Sequence, residues 1–183
     1  MKKIFAISFI FFAFLTSGYR KPDVYEIDAS KNAYSHNNMG LIYVEEKCYY
    51  AAIQEFKIAI SLNPNTQATA VYYNNLGETY IKIGYPDYAL DCFERALKQY
   101  SLNFKYYQNL AETYKLLNML DSKLAEYSNN KNPLSKVMVA LLYEKKGEIR
   151  RAITLLDDFA MSEPDLIITV AIKKHIKELA ANL

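Results

Sequence analysis

The chain has 183 residues, enough for one domain of ordinary size, with 51% hydrophobic residues, 17 tyrosines, no tryptophan and only five glycines and five prolines. That composition excludes whole-chain disorder and disfavours a many-turned β fold. Twenty-two basic residues against 20 acidic ones build no strong positive field, which argues against nucleic acid as a partner.

The first eighteen residues have the layout of a secretory signal. Lys2 and Lys3 give a positive start, Ile4 to Leu15 is an unbroken apolar run, and Thr16-Ser17-Gly18 supplies small residues suited to cleavage. The run is shorter than the ~20 residues of a comfortable membrane span, so 1–18 is expected to be removed, an uncleaved membrane anchor being the alternative. Lys2 and Lys3 are its only charged residues, so cleavage leaves 20 basic and 20 acidic residues, a formally neutral chain. Residues 19–32, with Pro22 and mixed charges, are expected to be a flexible lead. Export makes disulfides possible, but Cys48 and Cys92 fall on different hairpins in the reading below and are expected to remain separate thiols.

Four segments then repeat in phase: His36-Asn-Asn-Met-Gly-Leu-Ile-Tyr43, Tyr73-Asn-Asn-Leu-Gly-Glu-Thr-Tyr80, Tyr107-Gln-Asn-Leu-Ala-Glu-Thr-Tyr114 and Lys136-Val-Met-Val-Ala-Leu-Leu-Tyr143. Leu76 and Leu110 are 34 residues apart, and Met39 and Leu76 are 37 apart, which places a short insertion near Gln67–Thr69. A second motif follows the first: Ala52-x-x-x-Phe56 with Ala59 and Pro64, Ala89-x-x-x-Phe93 with Ala96, and Ala152-x-x-x-Leu156 with Phe159 and Pro164. Spacings of three and four put each set on one face of an amphipathic helix. A small residue on the first helix lets the second approach closely. Gly84 and Gly147 fall between the two helices, where a left-handed residue ends the first one; Asn118 holds the same place in the third unit, and Lys47, less suited to it, in the first.

These residues resemble the tetratricopeptide repeat family, whose pattern is a bulky residue, Leu-Gly, Tyr, then Ala-x-x-x-Phe and a closing Pro at a period of 34. The resemblance covers about residues 31–166. It implies an all-α fold, a right-handed α-solenoid of about four helical hairpins plus a C-terminal capping helix. The units are expected at 33–66, 70–103, 104–132 and 133–164, followed by the capping helix at 165–183. The third unit departs from the pattern, since Asn118 to Gly147 spans only 29 residues; a shortened second helix and a local kink are expected there, with Asn132 capping a helix opened by Pro133. Ser162-x-x-Asp165 resembles a capping box, opening a helix with Leu166, Val170, Lys173, Lys174 and Lys177. Its basic amphipathic face suits a membrane surface as well, but a cap over the last hairpin is the better reading.

No nucleophile motif, phosphate-cradling glycine loop or metal-ligand spacing is present. The sequence therefore leads to a non-enzymatic chain with no cofactor, no metal, no small-molecule substrate and no nucleic acid. Its partner is expected to be a protein or peptide, with a membrane involved only if the signal stays. In the family the first helix of each hairpin lines the concave side, which implies a partner face of Tyr34, Asn37 and Leu41, then Asn74, Glu78 and Ile81, then Lys105, Gln108 and Glu112, and finally Leu134, Val137 and Leu141. Family members that hold the acidic carboxyl end of heat-shock chaperones use a clamp of basic residues and asparagines. Asn75 and Lys105 match two clamp positions, while Asn37, Leu41 and Asn109 depart from the other three. The expected function is that of an exported adaptor, scaffold or assembly factor of the cell envelope, periplasmic or secreted, with a membrane-tethered or self-associating structural protein as the alternative.

Overall fold

The computed structural model describes residues 28–182; the signal and most of the lead lie outside them. Among the described residues all regular structure is helical: α1 (Ala29–Glu45), α2 (Tyr49–Leu62), α3 (Gln67–Lys82), α4 (Pro86–Gln99), α5 (Phe104–Leu116), α6 (Leu120–Ser128), α7 (Leu134–Lys145), α8 (Ile149–Ser162) and α9 (Ile167–Ala180). Consecutive helices pair as hairpins, and each hairpin packs on the next. This is an all-α repeat array. Helix α1 starts inside the segment read as lead, because the Asp28 carboxylate accepts from the Lys31 amide at 3.0 Å and fixes its first turn.

Four turns of one design close the hairpins. Lys47, Gly84, Asn118 and Gly147 have φ of 61°, 80°, 56° and 85°. The residue after each donates its amide back to the tyrosine five positions earlier, Cys48 to Tyr43, Tyr85 to Tyr80, Met119 to Tyr114 and Glu148 to Tyr143, at 2.8–2.9 Å. That bond satisfies a carbonyl the helix end would leave orphaned.

Within the hairpins, Ala52, Phe56 and Ala59 of α2, Ala89, Phe93 and Ala96 of α4, and Ala152, Leu156 and Phe159 of α8 are all buried. The extra residues between the first and second units become the first turn of α3. Thr66 and Thr69 cap it reciprocally, each side chain bonding the other's amide.

The third unit is the irregular one. Helix α6 has nine residues where α2, α4 and α8 have 14, and buries none of them fully. It stands off α5, so α7 packs directly on α5 as well as on α6. Val137, Met138, Leu141 and Leu142 thereby enter one buried cluster with Tyr107, Leu110 and Tyr114. The next helix begins at Leu134 with Pro133, not Asn132, in the capping position and no side-chain cap; Asn132 Oδ1, one residue earlier, accepts from the Leu134 amide at 3.0 Å.

Helix α9 closes the array and also corrects one expectation. Ser162 donates to the Phe159 carbonyl at 3.0 Å instead of capping α9, which begins at Ile167 after Leu166. No side chain caps it; Thr169 Oγ1 donates to the Glu163 carbonyl at 2.6 Å, tying the first turn to the preceding loop. Its apolar face is used within the chain, since Ile168 and Ile172 are buried in the same cluster as Val137 and Leu141.

Candidate functional site

The first helices of the units carry the side chains read as a partner face. At the first unit Tyr34 and Leu41 are exposed on α1, while Asn37 is buried between units. The Asn75 amide donates to Asn37 Oδ1 at 2.9 Å. One unit on, Asn109 Nδ2 donates to Asn74 Oδ1 and to Glu78 Oε1, both at 2.8 Å. The same step is taken twice: an asparagine on each helix reaches back to the asparagine that precedes its own counterpart in the earlier unit. A short ladder of amides thus joins α1 to α3 and α3 to α5.

The ladder sets which way each amide faces. With Oδ1 of Asn74 occupied, its Nδ2 has no acceptor among the described residues. No fully buried side-chain N or O there lacks a partner, so this N–H is open to solvent. Asn37 Nδ2 makes only a 3.5 Å approach to Asn38 Oδ1, at the long limit of a hydrogen bond. Asn75 and Asn109, which are half-buried, donate through Nδ2 and keep Oδ1 without a donor among the described residues, so the ladder offers both amide donors and amide acceptors.

Between α3 and α5 lies a cavity of about 290 Å³ lined by Glu78, Ile81, Lys82, Phe93, Lys105, Asn109, Glu112 and Thr113. Four residues read from the sequence, Glu78, Ile81, Lys105 and Glu112, come together here. Its charges are balanced: Lys105 Nζ lies 3.9 Å from Glu78 Oε1, and Lys145 of α7 reaches Glu112 at 2.9 Å. These ion pairs are part-exposed and contribute little to stability, so a partner's charge can exchange for them at small cost.

Gln108 and Lys105 line a second cavity, of about 250 Å³, between α5 and α9, together with Asn103, Phe104, Ala171, Lys174, His175 and Glu178. Here α9 crosses to the side of the first helices. The His175 ring packs on Phe104, 5.2 Å between centroids, and its Nε2 meets Glu144 Oε2 of α7 at 2.7 Å. Burial alone would raise the Glu144 carboxyl, but the hydrogen bond and charge of His175, with Lys145 beside it, outweigh burial and hold it below the ordinary value.

The fourth unit departs from the sequence reading. Leu134 is half-buried, and Val137 and Leu141 are completely buried. They face the core shared by α5, α7 and α9, not an open groove, because the shortened α6 lets α7 settle on α5 and α9 packs into the same cluster. The residues that sequence reasoning left out of the face are Asn109, Thr113 and Lys145. The signal for Asn109 was the pair of adjacent amides recurring at 37–38, 74–75 and 108–109; no sequence motif singles out Thr113 or Lys145.

Among the described residues no group of three or more His, Cys, Asp or Glu side chains is placed to hold a metal ion, and no helix is long and apolar enough to cross a membrane. Both cysteines are free thiols, Cys48 exposed and Cys92 buried.

A tetratricopeptide repeat model matches residues 32–101, the first two hairpins. The crystal structure of MamA protein superposes with a TM-score of 0.51 at 17% identity, over 82% of this chain and 84% of that one. A tetratricopeptide repeat protein from Parabacteroides merdae gives 0.52 at 17% identity, over 83% of this chain and 61% of that one. At such identity these likenesses bear on the fold alone. No curated protein matches the sequence.

Proposed function

We propose that this chain, a member of the tetratricopeptide repeat family, is a protein–protein interaction module that holds an extended segment of a partner along the faces of α1, α3 and α5. The observation that carries the reading is the amide ladder beside the α3–α5 cavity. The open Asn74 N–H suits a backbone carbonyl of an extended chain, as in recognition modes where main-chain bonds give affinity and side-chain pockets give selectivity. Glu78, Lys105 and Glu112 then sort the partner by charge, and Tyr34 and Leu41 add apolar contact at the first unit. Of the fourth unit only Lys145 reaches the face, through Glu112, so the proposed groove ends along α5, where α9 lies beside Gln108.

The charge-patterned start and apolar run of residues 1–18 support export, and with it a role as an adaptor or assembly factor in the cell envelope. The mass of the purified protein tests this directly: loss of about eighteen residues supports export with cleavage, whereas an intact start favours the tethered alternative.

Capture from the native envelope fraction tests the groove. Lys105→Glu and Leu41→Asp both alter exposed side chains, so melting should not change while the captured set is lost or reduced. Lys98→Glu, on the exposed side of α4, serves as control. Equal capture by all forms rejects the groove.

A further inference from the structure

In each inner unit, three positions of the first helix are buried against the hairpin before it. They are Tyr72, Leu76 and Thr79 in α3, and Tyr106, Leu110 and Thr113 in α5. The same positions in α1 are Ser35, Met39 and Ile42. No hairpin precedes α1 among the described residues, and Met39 and Ile42 are 43% and 47% exposed. The front of the array thus repeats a helix-receiving face that no described residue covers.

The back of the array carries a matching stripe. Ile168 and Ile172 bury one face of α9, and the opposite face presents Ile167 and Val170, 70% and 74% exposed. Lys173 and Lys174 follow them on that side, both exposed. Met39, Ile42 and Glu45 on α1, with Glu46 at its C-terminal cap, are separated by the same steps as Ile167, Val170, Lys173 and Lys174 on α9. Laid side by side in parallel, the two stripes put apolar against apolar and each glutamate against a lysine. Glu45, Glu46 and Lys173 make no ion pair among the described residues, and Lys174 has only a loose 3.8 Å contact with exposed Glu178.

We propose that a second copy of this chain covers the exposed face, the α1 stripe of one molecule docking in parallel on the α9 stripe of the next. Inside the array a first helix packs mainly on the second helix of the unit before it, as α3 does on α2, and parallel contact between first helices is substantial only where α5 meets α7. The parallel orientation of the proposed contact therefore rests on the matching order of apolar and charged residues in the two stripes. The contact joins two different surfaces, so it is head-to-tail and does not close after two copies; assembly grows with concentration. Of the residues the contact uses, Lys174 also borders the cavity between α5 and α9; the other seven lie outside both cavities described above.

Sedimentation velocity on the purified full chain, over a hundredfold range of concentration, tests the contact. The wild type should show an average mass that rises with concentration and falls with added salt. Glu45→Lys with Glu46→Lys should weaken association by about tenfold or more, through like charges brought together. Lys173→Glu with Lys174→Glu should do the same. An equimolar mixture of the two variants should associate again, since each reversed face meets a reversed complement. Simple loss of folding does not produce that recovery, and helicity of each variant alone checks it independently. A wild type that stays monomeric throughout, with α1 covered by residues before Asp28 or by another protein, overturns the proposal. So does an association that neither reversal changes.

Discussion

Phe93 of α4 lies so close over Gly77 of α3 that a methyl built on the glycine would stand 2.7 Å from the ring edge. The first hairpin repeats this, with Phe56 at 2.6 Å from the corresponding point on Gly40. Both rings are fully buried, although Phe93 also borders the cavity between α3 and α5. The fourth hairpin solves the same contact with the other pairing, Ala140 and Leu156, sixteen residues apart like the two Gly–Phe pairs. A larger residue on one helix is thus matched by a narrower one on the other.

Gly77→Ala should therefore destabilise the protein although alanine is the better helix former. The propensity gain is at most ~1 kcal/mol, while forcing a methyl into a filled core costs about 1–3 kcal/mol. A net loss of about 1–2 kcal/mol in urea unfolding is expected. Adding Phe93→Leu should recover part of it, since the pair then reproduces Ala140 and Leu156. A double variant less stable than both single ones would show that the ring does not set the helix approach.

The turn at Lys47 points to a change of opposite sign. Its left-handed φ of 61° costs an L residue with a β-carbon ~1–2 kcal/mol. Glycine at the two equivalent turns avoids that cost. Lys47→Gly should stabilise the chain by about 1 kcal/mol after allowance for the greater freedom of glycine in the unfolded chain. Asn118→Gly should gain less, because asparagine tolerates this conformation better. Urea midpoints for the two variants decide the order.

What the sequence made legible was everything local to one hairpin. The turn positions, the close approach at Gly40 and Gly77 and the shortened second helix of the third unit all follow from spacings within about thirty residues. Val137 and Leu141 were misplaced because facing the inner side says nothing of what arrives from elsewhere. Their burial depends on how far α6 stands off α5 and where α9 lands, neither of which is encoded at positions 137 and 141. Ser162-x-x-Asp165 failed similarly: the motif is present, but the chain turns there and Thr169 ties the helix start instead. The amide ladder joins residues 35 and 38 apart, and no single helix reveals it.

The two thiols should behave as opposites. Burial, with Asp91 adding to it, pushes the Cys92 thiol up to about 12, so almost no thiolate forms near neutrality. Cys48 is exposed at the start of α2. Native protein treated with iodoacetamide at pH 8 should take up one label, at Cys48, and the second only with the rate of unfolding in denaturant. Rapid labelling of both would mean that the α2–α4 packing opens readily.

Acid should release α9 before the array itself unfolds. The Glu144 carboxyl is held below its ordinary value in the folded state, against the opposing effect of burial, by the hydrogen bond and charge of His175 and by Lys145. A group with a depressed folded pKa stabilises the structure fully above its unfolded pKa, and that contribution fades as pH falls through the folded one. The loss therefore falls on the acid side of the ordinary carboxylate range and acts at the seam where His175 meets Glu144 and Phe104. Hydrogen exchange should show amides of α9 losing protection on acidification while those of α3 and α4 keep it. Glu144→Gln removes the charge but keeps the shape, so α9 should exchange faster at neutral pH and depend less on acid. If α9 and α4 lose protection together in both forms, α9 is not a separately released element and the Glu144–His175 contact does not hold it.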